Sequence, residues 1–323
     1  MYQLHEIEGA LELSSSEPPV FKPSELYRLD QNIRESLSRY QLYIVARRPR
    51  LSLIVDSFSV DCDGKVISGT VMAQTSRTEF EKFELRFALP FQAKKVRVGE
   101  SPFEMLWIEP FDSSELQEVG VRLFDILRLN EAVNPKYTDM FVEYIGRSYG
   151  EEGERSAVDR LIGKTGKDGH GSLQSVLADV NDMRPDQEVH VLLFSYEFHK
   201  RHVVGGYSPY KPEMSMDDAP DRLDRFMSEP IDRNDRIKLA EASLIRYFQP
   251  HYNVKYKSTF PDCSHKILER MWELDITGIV VSLTTLGLAV RLYSDIAPPS
   301  FGHLTFYPIV KEKDRASFFD VTL

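Results

Sequence analysis

The stretch from Ile237 to Asn253 limits the possible folds of this chain more than any other. Ile237, Leu244, Ile245 and Phe248 recur at helical spacing and define one apolar side. Pro250 cannot continue a helix, so the pattern ends just before it. Glu241 lies one turn after Ile237 and one turn before Ile245, which puts a carboxylate on the face the helix must bury. An ionised carboxylate there needs a cation or several hydrogen bonds. The pattern leaves two partners open, a metal ion or an arginine or lysine, beside the alternative that Glu241 sits partly exposed at the edge of the stripe.

The remaining pattern is mostly β in the first half and mixed in the second. With 323 residues, 42% of them hydrophobic, the chain is long enough for two or three domains with real cores. Residues 1–20 end in Ser14-Ser15-Ser16-Glu17-Pro18-Pro19 and read as a mobile arm or irregular lead-in. A helix is predicted from Ser24 to Tyr40. Leu51–Val60 alternates, Asp63-Gly64 is a tight-turn dipeptide, and Lys65–Ala73 returns, which together predict a hairpin. Strands are predicted at Phe80–Ala88, Lys95–Val98 and Glu104–Glu109. Residues 1–135 are thus expected to form a mainly β domain without a chemical motif. Further on, strands are predicted at Asp139–Ile145, Glu188–Phe198, Gly278–Thr285 and Leu288–Tyr293, and helices at Ser172–Val180 and His265–Leu274. Residues 199–230 read as a long insertion or flexible loop.

A net charge of -10 argues against a general electrostatic nucleic-acid binder, so any such contact is confined to one face or depends on a divalent metal. No apolar run approaches a membrane span, and the first residues lack a signal core. Cys62 and Cys263 stand in no metal-ligand spacing and read as reduced thiols of a cytoplasmic protein.

Three segments carry candidate chemistry. In Glu143-Tyr144-Ile145-Gly146-Arg147-Ser148 a strand ends in Gly-x-Ser, and Gly146 permits close backbone approach; the alternative is a core tyrosine at a strand end. In Arg155-Ser156-Ala157-Val158-Asp159-Arg160, Ser156 can cap a short helix bearing Arg160. That arginine suits a phosphate clamp, or else a surface bridge to Asp159 or Glu154. The glycine-rich run 163–171 lacks phosphate-loop spacing and reads as a loop delivering His170 to the Ser172 helix. Arg147, Arg155, Arg160, Lys164 and Lys167, with His251, Lys255 and Lys257 later, make either a small phosphate-facing patch or a solvated mixed-charge surface.

Taken in order, Tyr144-Ile145-Gly146, Arg160, His170, a strand, the Glu241 helix and Pro250-His251-Tyr252-Asn253 resemble the GIY-YIG nuclease family over residues 136–256. The resemblance implies an α+β chain. A small antiparallel sheet flanked by helices would occupy 136–256, with 199–230 inserted, between the N-terminal β domain (1–135) and a short α/β extension (257–323). It implies that Tyr144 is the tyrosine of the second signature triplet. Arg160 matches the helical arginine, with Arg155 as rival, and His170 the downstream histidine. Glu241 would be the metal ligand and Asn253 the closing asparagine. The pattern departs from the family at one point: no Gly-Ile-Tyr stands upstream of Tyr144. Tyr137 is the nearest candidate, and its spacing is short for a hairpin.

The implied activity is metal-dependent endonucleolytic hydrolysis of a phosphodiester, in DNA before RNA, in a setting such as bacterial or phage defence. Mg²⁺ or Mn²⁺ would sit on Glu241, Arg160 would stabilise phosphoryl charge, and Tyr144 or His170 would orient or deprotonate the attacking water. The N-terminal domain would serve targeting, regulation or assembly with a second copy or a protein partner. The alternative expectation is a catalytically inactive module of the same fold that binds nucleic acid or protein, favoured by the missing first triplet and the acidic balance.

Overall fold

Leu42–Pro49 (Leu-Tyr-Ile-Val-Ala-Arg-Arg-Pro) shows no alternation, because as a central strand it is buried on both faces. The protein is described from a computed structural model covering residues 4–5, 7–111, 118–128, 130, 133–148, 156–163, 171–204, 214–215, 219–261, 265–274 and 276–309. The Tyr43 strand pairs antiparallel with Met140–Arg147 on one side and Gln187–Phe194 on the other. Val20–Phe21 extends the sheet beyond Gln187–Phe194, and Leu292–Tyr293 runs parallel to Met140 and Phe141 at the opposite margin. Among the described residues the rest of the Tyr144 strand is therefore a sheet edge.

The two faces of this sheet bury different partners. Tyr43, Val45, Val191 and Leu193 pack with Leu161, Leu173 and Val176 from the helices Ala157–Ile162 and Gly171–Met183. Leu42, Ile44, Ala46 and Phe194 pack with Ala240, Leu244, Ile245 and Phe248 of the Glu241 helix, Arg233–Phe248. A second, four-stranded sheet shares that cluster through Leu11, Leu13, Ile279 and Val281. Its strand order is Tyr196–Val204, Ile7–Ser15, Ile276–Thr284, Gly302–Pro308. The helix contacts both sheets, which is why it is apolar nearly all round from Ile237 onward. It closes at Gln249 in the left-handed region (φ 47°), just before Pro250.

The second sheet corrects two expectations. Residues 7–15 are no mobile arm. Leu11 and Leu13 alternate inward with no exposure, and the Glu8 carboxylate accepts a hydrogen bond from Thr277 Oγ1 at 2.8 Å. Residues 199–204 complete a strand instead of opening a loop, and Ala219–Ser228 is helical. Within the segment 257–323, expected as a separate extension, the described strand Ile276–Thr284 pairs directly with the N-terminal strand. The helix expected over Ser24–Tyr40 is two, Pro23–Leu26 and Gln31–Ser36, because Asp30 starts the second by accepting from Ile33 N at 2.8 Å. Leu288–Tyr293 yields only Leu292–Tyr293 as strand, since Leu286–Leu288 is a 3₁₀ turn with Ala289 left-handed behind it.

Between the Tyr43 and Tyr144 strands stands a β unit with its own core of Leu53, Ile67, Val71, Leu85, Leu106, Ile108 and Ile126. Val66–Gln74 pairs with Leu51–Leu53, Ser59–Val60 and Phe80–Ala88, while Ala93–Val98, Met105–Pro110 and Val119–Arg122 form another small sheet. The expected turn is present: Gly64 has φ 71°, and Asp61 Oδ1 accepts from Lys65 N and Val66 N. The boundary expected at residue 135 does not follow this arrangement. Residues 20–21 and 42–49 pair with strands beyond residue 135, and the β unit is an insert in a hairpin. The architecture is mixed α and β with several small sheets. At the seam, Lys22 bonds Glu104 of the insert and Glu188 of the main sheet, and Glu188 also meets Arg48 at 3.0 Å and His190 at 3.1 Å. No described helix is long and apolar enough to cross a membrane.

Candidate active site

The open edge of the Tyr144 strand forms one wall of a cleft of about 460 Å³. Its shape begins with register. Gly146 lies opposite Tyr43, and Tyr144 lies opposite Val45, with an irregularity between Val142 and Tyr144 that leaves Glu143 as the extra residue. A Cβ at position 146 would stand 2.5 Å from Tyr43 Oη and 2.7 Å from Tyr144 Cε1. A side chain there would press on both rings, whose centroids lie 6.1 Å apart. Tyr43, from the strand before the insert, is the tyrosine that faces Tyr144. Tyr137, the candidate considered for that place, stacks on Phe83 at 4.6 Å and bonds Glu81 in the insert.

Arg160 reaches the cleft from the helix Ala157–Ile162, which starts with a reciprocal cap. Ser156 Oγ accepts from Asp159 N at 3.1 Å, and the Asp159 carboxylate accepts from Ser156 N at 3.0 Å. Asp159 is thus used by the cap, and the Arg160 guanidinium lies against Tyr43, where it favours the phenolate. Burial outweighs this and raises the Tyr43 pKa, with Tyr144 and Glu241 adding to the rise. Tyr144 is also raised, first by burial and then by Glu241, while Ser172, at the start of the helix Gly171–Met183, bonds its hydroxyl and acts the other way. Both phenols therefore hold their protons at neutral pH and act as hydrogen-bonding groups.

Glu241 faces the same cleft. Burial raises its pKa, and Arg147 and then Arg160 oppose that rise. Arg147 Nε bonds Glu241 Oε2 at 2.8 Å, and Arg147 Nη1 bonds Asn234 Oδ1 at 3.2 Å. Of the two partners the sequence left open for this carboxylate, the structure contains the arginine. Asn253 is buried, and both ends of its amide are engaged: Oδ1 accepts from Ile145 N at 2.9 Å and Nδ2 donates to Ile145 O at 2.8 Å. It substitutes for a neighbouring strand at the sheet edge and fixes the backbone between Tyr144 and Gly146, so its role here is positioning. Tyr252 N adds a bond to Glu143 O at 3.1 Å.

Tyr144, Arg160, Glu241 and Asn253 thus line one cleft, together with Arg147, Tyr252, Lys255 and Tyr256. Tyr256 is held in the left-handed region (φ 71°). His170, Arg155, Lys164 and Lys167 lie outside the described residues. His251 lines a different cavity beside Asp179 and Arg184. In the sequence Arg147 stands out only within the segment 143–148 and the basic run, and Tyr43 carries no signal of its own.

Among the described residues no group of three or more His, Cys, Asp or Glu is placed to hold a metal ion, and Glu241 is the one carboxylate lining the cleft. The donors on the cleft wall are oxygens: the Glu241 carboxylate and the phenols of Tyr144 and Tyr256. That set fits a hard cation such as Mg²⁺ or Mn²⁺ that keeps most of its waters, provided Arg147 releases Glu241. Comparison with protein-family models, curated proteins and solved structures finds no match.

Proposed function

We propose that this chain is a divalent-metal-dependent endonuclease of GIY-YIG type that hydrolyses phosphodiester bonds in nucleic acid, DNA before RNA. One observation carries the reading. Tyr43, fully buried, stands beside Tyr144 on the neighbouring antiparallel strand, and Tyr144 lines one cleft with Arg160 and Glu241. The resemblance lacked a first tyrosine, and Tyr43 supplies one from before the insert.

In this reading Tyr144 orients the attacking water through its hydroxyl, the buried Tyr43 ring packs behind it, and Arg160 takes up charge developing on the phosphoryl oxygens. Glu241 would hold Mg²⁺ or Mn²⁺, which when bound supplies polarisation of the scissile phosphate and stabilisation of the leaving 3′ oxygen. Asn253 keeps the Tyr144–Gly146 backbone in place. The insert would serve targeting, regulation or assembly, including pairing with a second copy. A cytoplasmic setting in bacterial or phage defence belongs to the proposal by analogy.

A second reading, a catalytically inactive module of the same fold that binds nucleic acid or protein, is favoured by the ion pair that engages Glu241. Cleavage assays on single- and double-stranded DNA and RNA, with Mg²⁺, Mn²⁺ or chelator, separate the two. The endonuclease reading expects metal-dependent cleavage that falls by about 10²–10³ in Glu241→Gln, the scale for removing a transition-state stabiliser. Cleavage unchanged in that variant, or none on any substrate, sinks it.

A further inference from the structure

We infer that Arg147 is a displaceable counter-ion: it holds Glu241 in the free protein and moves to a substrate phosphate when Glu241 takes a divalent cation. The inference rests on the endonuclease reading of this cleft and adds how metal and substrate depend on each other there.

The geometry is that of a latch. Arg147 is the last residue of the Tyr144 strand, directly after the glycine that Tyr43 packs against. Its guanidinium is gripped twice by one helix, through Asn234 at 3.2 Å and Glu241 at 2.8 Å, residues two turns apart on the same face. Glu241 is 14% exposed and Arg147 28%, so the arginine covers the carboxylate from the solvent side. It can swing into the cleft without crossing the core.

Charge decides what the latch responds to. Around Glu241 stand Arg147 and, behind it, Arg160, both of which favour its ionised form. Two cations facing one carboxylate leave a local surplus of positive charge, and Lys255 on the cleft wall adds to it. A divalent cation arriving alone would meet that surplus and would have to displace a charge-assisted hydrogen bond. A phosphodiester arriving with it neutralises the surplus and gives Arg147 a new anionic partner of matching fork geometry. Metal and phosphate should then bind cooperatively, and linkage makes the effect reciprocal.

The test titrates Mn²⁺ into the full chain by calorimetry, with and without a single-stranded phosphorothioate oligonucleotide that resists cleavage. In the wild type, the oligonucleotide is expected to tighten Mn²⁺ binding by about tenfold or more, within the usual range of coupling between sites. Arg147→Gln is expected to tighten Mn²⁺ binding without oligonucleotide by about tenfold and to reduce the oligonucleotide's effect to about threefold or less. Asn234→Ala loosens only one grip on the guanidinium and is expected to shift Mn²⁺ binding the same way by a smaller factor, which keeps the test open if Arg147→Gln does not fold. Glu241→Gln is the control that removes the ion's ligand. Mn²⁺ binding that is abolished by Glu241→Gln but unmoved by both Arg147→Gln and Asn234→Ala overturns the latch and leaves the metal site standing. Absence of Mn²⁺ binding in every protein, with and without oligonucleotide, overturns the metal-dependent reading itself.

Discussion

The main sheet and the insert solve burial in opposite ways. In the insert, Val66–Gln74 alternates strictly, with Ile67, Val71 and Ala73 inward and their neighbours half-buried. In the main sheet, Leu42–Ala46 is buried without interruption, and Arg47 and Arg48 continue inside as charged residues at 6% and 4% exposure. They persist there because each has a counter-charge: Glu143 for Arg47, and Glu188 for Arg48. The insert places its ion pairs outside, as with Lys94 and Glu109 at 2.9 Å. The half of the molecule that carries the cleft thus adds buried ion pairs to its apolar packing, and the insert keeps the Lys94–Glu109 pair at its surface.

The sharpest way to break this contrast is to remove one buried partner. Glu143→Ala leaves Arg47 inside with Gln187 and the Phe141 ring, and is expected to cost about 3–5 kcal/mol in urea unfolding. A loss below ~1 kcal/mol would show that the buried pair is dispensable and the contrast wrong.

Acid probes the seam between the two regions. His190 is buried against Glu188, with Arg48 and Lys22 beside it and Glu104 across Lys22. Burial first, and the two cations next, push its pKa down from 6.5 to about 4, against the pull of Glu188. The unfolded chain therefore takes up this proton first. The group's contribution to stability is present above pH 6.5 and is lost as pH falls toward about 4. Urea midpoints measured across that window should fall in the wild type and flatten in His190→Gln. Equal slopes in the two proteins would remove His190 from the account.

Gly146→Ala should act at the cleft itself. The added methyl must push Tyr43 and Tyr144 apart, at a cost of about 1–3 kcal/mol, with reduced cleavage at temperatures where the variant is folded. Wild-type stability and activity together would mean the tyrosines do not need that contact. The smallest effect is expected in the insert, where Lys94→Ala removes a 63%-exposed lysine and should change stability by less than about 1 kcal/mol.

The same contrast explains what could be read in advance. Phe80–Ala88 and the hairpin turn at Asp63-Gly64 were legible because half-exposed strands alternate and tight turns have characteristic residues. The Glu241 helix and its stop at Pro250 were legible for the corresponding helical reason. The Tyr43 strand was not, since a strand buried on both faces and carrying two arginines matches neither period. Ile7–Ser15 was misread because its serines and the following prolines outweighed the alternation of Leu11 and Leu13. Tyr144, Arg160 and Glu241 were legible through their order along the chain and the residue types around them. Tyr43 meets Tyr144 only through strand register, and the bond of Arg147 to Glu241 exists only in the folded chain, so neither has a local signature.

An insert placed inside a hairpin also decides what can be cut from this protein. Any contiguous fragment that contains both Tyr43 and Asn253 contains the whole β unit as well, and one beginning at residue 136 contains only one of the two facing tyrosines. For the engineer, the smallest portable form of the cleft is therefore a splice: Pro49 joined to Met140 by a short turn, across the gap that register already spans between Arg47 and Phe141.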